Sequence, residues 1–417
     1  MVEILWSGER AWLRSPLFAL AVLGLVAGTL LARAALAGPG AEQAWGYDFD
    51  AFHTGARMTL EGRLVDAYDG AAFRSEVPGA EEMYWMYPPQ GALLLAPLGL
   101  LPYPLAAALV LAGLGAAMLA FGTRLFGDAR GGNALLLLSA PALFALLLGQ
   151  VAPLFGILLV GAVLLAPRRP VLAGLLLAVL TAKPQYGLLV PLFLLARGRW
   201  RVIAAAAGGT AALCLLSACV FGTEAWATWL DAGDGPARRF IYENRFASMP
   251  SAYQYARFWS VPPSAAMGIQ IGVVALAGAL VVAARSLSYR RHAALTLLLT
   301  CAAMPYLWFY DWLPVMAVVL LARRTEGRTE DRLGVPIPLL ALLWLVPFAS
   351  QGTEGLLDAD AYGASLALVQ AINLLEIVAL WGAALALAYP AIRTTALPVF
   401  APLKRPMKAS GPLSSPS

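Results

Sequence analysis

Long apolar runs separated by short polar turns recur along this chain from about residue 16 to residue 390, and that recurrence leaves few architectures open. In lipid every backbone N–H and C=O has to find a partner inside its own segment, so runs of this kind fold as helices. A full crossing takes about 20 residues, and shorter runs must tilt, break or sit inside the protein. Twelve runs can be read: 16–37, 91–121, 133–148, 151–166, 171–182, 185–196, 202–221, 264–284, 293–305, 312–322, 335–350 and 364–390. Composition agrees, with 60% hydrophobic and 13% charged residues, against roughly one-quarter charged in an average soluble domain. The expected fold class is all-α integral membrane, a bundle of about twelve transmembrane helices forming one domain over residues 1–402. The first run is too long for a signal-peptide core and reads as a retained span. Residues 403–417 are basic, then Pro/Ser-rich, and read as a disordered cytoplasmic tail.

Charge gives the expected orientation. Twenty of the 29 lysines and arginines fall on alternate turns at one side of the runs, including Arg168, Arg169, Arg197, Arg199, Arg285, Arg290 and Arg291. The positive-inside rule then places both termini in the cytoplasm, and the large loops 38–90 and 222–263 on the outer face. A net charge of +5 spread over short loops is not a nucleic-acid signature, so no nucleic-acid partner is expected. The three cysteines, Cys214, Cys219 and Cys301, lie in apolar runs and read as small core residues.

The polar stretch from Trp45 to Asp69 interrupts this pattern. Phe49, Phe52, Ala56 and Leu60 recur at helical spacing with Asp50, Thr54, Arg57 and Glu61 off that face, and Gly62 ends the run. The pattern predicts an amphipathic helix lying along the membrane surface with carboxylates at its start. Asp48 and Asp50 admit three readings: a metal-holding pair, helix-capping acids, or a general base for an acceptor hydroxyl. The last suits an outer-face site best, with Asp48 the preferred residue. His53, one turn on, is a candidate for binding phosphate or sugar hydroxyls, and His292 beside Arg290 and Arg291 reads as solvated.

Lys183 lies between two apolar runs that are each too short to span. A charge at mid-membrane costs on the order of 3 kcal/mol unless it faces a cavity or a partner. It reads either as a snorkelling side chain in a turn or as a cation aimed at an anionic phosphate. Arg238, Arg239 and Arg257 in the second loop extend the basic character of this face, Gly149-Gln150 is a polar turn on it, and Tyr310-Asp311 offers a further buried acid. Zinc-ligand spacing and Walker or Rossmann glycine patterns are absent from the sequence, and neither a metal nor another cofactor is expected.

Taken in order, Asp48-Phe, Phe52, Gly55-Ala-Arg57, Glu61-Gly62, Ala67-Tyr-Asp69, Tyr87-Pro-Pro, Pro97-Leu98, Leu101-Pro102, Gly149-Gln150 and Lys183-Pro-Gln185 resemble glycosyltransferase family 87. That family has the GT-C type of multi-spanning fold and includes a mycobacterial mannosyltransferase dependent on polyprenol-phosphate-mannose. The resemblance implies a multi-pass enzyme of the bacterial plasma membrane with its site on the periplasmic face. Its partners would be a polyprenyl-phosphate-linked sugar, a lipid or glycan acceptor and membrane lipids. It also implies inverting transfer with Asp48 as base, Asp50 remaining a second acid. The leaving phosphate would meet a patch drawn from Lys183, Arg238, Arg239 and Arg257, and His53, Gln150 and Gln185 are second-rank binding candidates. A secondary transporter or a lipid flippase is the alternative reading, disfavoured because no repeated halves are seen.

Overall fold

The computed structural model describes residues 47–77, 83–126, 136–232, 239, 242–244, 249–323, 333–354 and 362–396. The expected first span, the tail and Arg238 lie outside them. Every regular element among the described residues is helical.

Three short helices open the described chain: α1 (Tyr47–Leu60), α2 (Leu64–Tyr68) and α3 (Gly70–Glu76). They are followed by α4 (Pro89–Leu95), which tightens into a 3-10 turn at Ala96–Leu100, and by α5 (Tyr103–Phe126). Next come α6 (Ala140–Leu148), α7 (Ala152–Leu165), α8 (Pro170–Leu180) and α9 (Val190–Ala196). The remainder are α10 (Trp200–Ala232), α11 (Ala252–Phe258), α12 (Pro263–Ala283), α13 (Tyr289–Ala303), α14 (Leu313–Arg323), α15 (Ile337–Glu354) and α16 (Tyr362–Ala396).

Among the described residues, four stretches are long and apolar enough to cross a membrane: Tyr103–Arg124, Trp200–Ala232, Pro263–Ser286 and Ala367–Arg393. Their outer sides carry exposed Leu109, Leu215, Ile271, Leu276, Val378 and Leu385, as a lipid-facing surface requires. The shorter apolar stretches, such as Ala152–Leu165, Pro170–Leu180 and Ile337–Ala349, run 11 to 14 residues, which at about 1.5 Å per residue reach only part of a core roughly 30 Å thick. Length therefore supports four full spans among the described residues, and the expected count of about twelve is not confirmed.

Three boundaries show why. The run 91–121 is divided because Pro102 holds Leu101 in an extended conformation (φ −106°, ψ 145°), ending the 3-10 turn before α5 begins. The apolar stretch around Lys183 stays divided, with a 3-10 turn at Pro184–Gly187 between α8 and α9. Beyond the expected end at Phe221, α10 continues through a kink at Gly222 (φ 80°, ψ 166°), a conformation open to glycine, and reaches Ala232.

The core of the bundle is α13, whose residues from His292 to Ala303 are all buried. Around it the polypeptide sorts its chemistry to two ends. At one end Arg197 of the turn after α9 donates to the Leu287 carbonyl at 2.6 Å, and Arg290 donates to the Leu321 carbonyl at 2.9 Å. Tyr289, under the guanidinium of Arg199, donates to the Val163 carbonyl of α7. His292 is a correction to the sequence reading: it is fully buried, donating from Nε2 to the Val281 carbonyl at 2.7 Å and accepting from Arg197 Nε at Nδ1, also 2.7 Å. The opposite end holds the acids.

Candidate active site

The site begins with α1, and its placement differs from the surface helix expected. Phe49, Phe52 and Ala56 are buried as predicted, but so are Asp50, Thr54, Met58 and Thr59, whereas Leu60 is 46% exposed. A helix buried on more than one side is clamped by protein instead of resting on lipid. Its inner end packs on the turn after α6, and its outer end is tied down by ions. There Arg57 meets Glu61 at 2.9 Å and Glu76 at 2.7 Å, and Arg63 meets Glu76 at 2.9 Å. These contacts hold α1 to α3, and the two arginines hold the Glu76 carboxyl below its ordinary range.

Asp48 and Asp50 occupy the first turn of α1, where the helix dipole favours negative charge. Their partners differ. Asp48 Oδ2 accepts from Gln150 Nε2 at 3.2 Å, and the Gln150 Oε1 in turn accepts from the Ala152 N–H at 3.2 Å. That second bond fixes which way the amide faces, so its NH2 points at the carboxylate. Gln150 is placed by Gly149, a left-handed residue (φ 68°) closing α6 against Phe49. Asp50 instead accepts from the Tyr103 hydroxyl at the head of α5. Asp69 caps α3, its Oδ1 accepting from Ala71 N at 2.7 Å and Ala72 N at 3.1 Å.

Opposite Asp48 stands an ion pair that joins residues far apart in sequence. Lys183 Nζ lies 2.7 Å from Asp311 Oδ1, with the two side chains 13% and 1% exposed. The same oxygen accepts from the Tyr186 hydroxyl at 2.6 Å, and Oδ2 accepts from the Trp308 N–H at 3.1 Å. The ammonium also lies 5.4 Å from the ring centre of Tyr186 and 5.5 Å from that of Tyr310, within cation–π range. Lys183 is therefore no free snorkelling side chain.

Burial pushes the Asp48 carboxyl up to about 6, while the Gln150 bond and the Lys183 charge pull it down and the charges of Asp311 and Asp50 push it further up. Asp50 is also raised to about 6 by burial, against the lowering effect of the Tyr103 hydroxyl. A carboxylate with such a value is ionised at neutral pH yet basic enough to take a proton from a hydroxyl. The array can hold an anion at Lys183 while a proton is accepted at Asp48.

The other sequence candidates fall as follows. His53 donates from Nε2 to the Leu101 carbonyl at 3.0 Å, pinning α1 to the break before α5. Gln185 is half-buried in the 3-10 turn beside Tyr186. Arg239 is exposed, and Arg257 donates to the carbonyls of Val261 at 2.9 Å and Glu243 at 3.3 Å. Tyr310 is buried beside the ammonium. Sequence reasoning missed Tyr186 and Tyr103, although Tyr186 closes the very run that drew attention to Lys183 and Tyr103 sits between two prolines.

The sequence pattern of glycosyltransferase family 87 matches residues 85–309, which takes in Gln150, Lys183 and Gln185; Asp311 lies just beyond its end, and Asp48 lies well before its start. No curated protein and no solved structure matches the chain. With more than half of its length matched, on an all-helical body whose longest helices are apolar enough to cross a membrane, the chain belongs to glycosyltransferase family 87.

Proposed function

We propose that this glycosyltransferase takes a sugar from a polyprenyl-phosphate donor and joins it to a lipid or glycan acceptor at the outer face of a bacterial plasma membrane. The observation that carries the reading is the pairing of a raised, partly buried carboxylate at Asp48 with a fixed cation at Lys183. A lipid-borne substrate suits a site placed where short helices end between apolar spans.

In the proposed step Asp48 takes the proton of the acceptor hydroxyl as its oxygen forms a bond to the anomeric carbon. The bond from that carbon to the donor's phosphate oxygen breaks, and the phosphate leaves with the electron pair. Attack from the face opposite the leaving group inverts the anomeric centre. Lys183 stabilises the charge growing on the phosphate, as a pre-placed cation in a water-poor site does. Asp48 is favoured over Asp50 because Asp48 faces Gln150 and Lys183, whereas Asp50 is engaged by Tyr103. Arg257 is engaged by loop carbonyls, so the leaving group's charge rests first on Lys183. No residue role here requires a divalent ion.

The test is transfer of radiolabelled sugar from polyprenyl-phosphate donors to a membrane lipid extract by purified protein in EDTA. Wild type should give labelled glycolipid, and Asp48→Asn should lose at least about a hundredfold, the low end for removing a general base. Full activity of Asp48→Asn, or dependence of wild type on added metal, would refute the step as written.

A further inference from the structure

Asp311 is the most heavily engaged acid near the site. Three donors converge on it from two segments: Lys183 and Tyr186, of the turn between α8 and α9, on Oδ1, and the backbone of Trp308, at the start of its own 3-10 turn, on Oδ2. It is 1% exposed, so its carboxylate cannot swing towards a substrate without abandoning those bonds. Lys183, by contrast, has three N–H donors, one of which goes to Asp311. The rings of Tyr186 and Tyr310 flank it and narrow the positions its ammonium can take.

We propose that Asp311 is a positioning residue that acts through Lys183: it holds the ammonium at the mouth of the site and balances the charge that Asp48 feels. The inference rests on the lipid-donor transferase reading above. Six groups face Asp48, namely Gln150, Lys183, Asp311 and Asp50, together with the hydroxyls of Tyr87 and Tyr310. Only one of them is a cation, and its nearest counter-ion is Asp311. The general base therefore works beside a neutral pair and not beside a lone positive charge. A lone lysine would keep Asp48 ionised more firmly but leave it a poorer proton acceptor. A lone Asp311 would do the reverse.

The two halves of the pair consequently have opposite effects. In Lys183→Met the cation is gone, and the acid limb of the pH profile of kcat/KM moves to higher pH. In Asp311→Asn, which keeps an oxygen for either Tyr186 or Trp308 but not for both, the ammonium is unopposed and the limb moves to lower pH. Each displacement is about one pH unit, as for a neighbouring charge in a partly buried site. In the double variant the limb returns towards its wild-type position, although transfer is slower throughout. Breaking a buried pair on one side only is strongly destabilising, whereas replacing both partners is tolerated. If Asp311→Asn fails to fold, the Lys183→Met and double variants still decide the sign.

The measurement is the pH profile of sugar transfer from a polyprenyl-phosphate donor, taken on wild type and the three variants. Opposite displacements cancelled in the double variant support the proposal. Limbs that stay in place, or move the same way in both single variants, overturn it and leave the pair a structural brace. Absence of transfer by wild type from every such donor would instead refute the underlying transferase reading, so the two failures are distinguishable.

Discussion

Asp48 and Asp50 are two residues apart in one helical turn, and the difference between them lies in what each touches. Asp50 is bonded to Tyr103 and Asp48 to Gln150, across from Lys183. Asp50→Asn keeps an oxygen for Tyr103 and should cost less than about tenfold in kcat/KM, an order of magnitude or more below the effect expected at Asp48. The sign of the pH dependence follows from the raised value of about 6. The base has to be ionised, so activity is full above that pH and falls about tenfold per unit below it, and a rate profile between pH 4 and 8 checks this. The acid-rich stretch was legible in the sequence because it broke a run of apolar spans. Its partners were not, since Gln150 lies 102 residues from Asp48 and Asp311 lies 128 from Lys183. Contacts of that range are made by packing, which no local periodicity records. The same packing buries Asp50 and exposes Leu60, against the amphipathic pattern.

Among the elements, the turn between α6 and α7 carries the site. Gly149 has a left-handed backbone, and a Cβ there would meet the Cβ of Phe49 at 2.5 Å. Gly149→Ala should therefore push α1 away from Gln150, lowering both the melting temperature and kcat. The control is Gly222→Ala at the kink of α10, where the backbone (φ 80°, ψ 166°) strains any other residue more than at Gly149 but a Cβ meets nothing within 4 Å. It should cost about 1 to 3 kcal/mol of stability with little change in kcat, and thermal unfolding beside single-turnover rates separates the two. Helix α16 holds a different kind of tension. Asn373 and Glu376, one turn apart and each 1% exposed, have no hydrogen-bond partner among the described residues. A buried carboxyl without a partner costs about 1 to 3 kcal/mol, so Glu376→Leu should raise the melting temperature, and a fall would contradict that reading. Apolar runs announced most of these helices in the sequence, with ends shifted by a few residues. The division before α5 was legible too, since Pro97 and Pro102 mark residues 93–101 as a short broken piece and the backbone breaks at Leu101.

At the scale of the whole molecule, the helices separate basic turns from the acid-rich site. Arg197, Arg199, Tyr289 and Arg290 knit together the turns after α9, α12 and α14, and Tyr289 reaches α7 just before Arg168 and Arg169. Asp48, Gln150, Lys183 and Asp311 gather at the far ends of the same helices. The sequence suggests this sorting from counts of lysine and arginine, and among the described residues the contacts place Arg197, Arg199, Arg290 and Tyr289 at one end and the acids of the site at the other. The proposed outward end, taken from the positive-inside rule, is open to direct test. Cysteine at Ser75, an exposed position on α3, should be labelled in intact cells by a membrane-impermeant maleimide. Cysteine at Arg168, exposed in the turn after α7, should be labelled only once the membrane is permeabilised. The background needs Cys219→Ser, since Cys219 is exposed whereas Cys301 is buried and Cys214 partly so. The reverse labelling pattern would put Asp48 on the cytoplasmic side, where a sugar donor would be drawn from the inner leaflet. The proposed outer-face reaction would then fail even if the chemistry at Asp48 and Lys183 held.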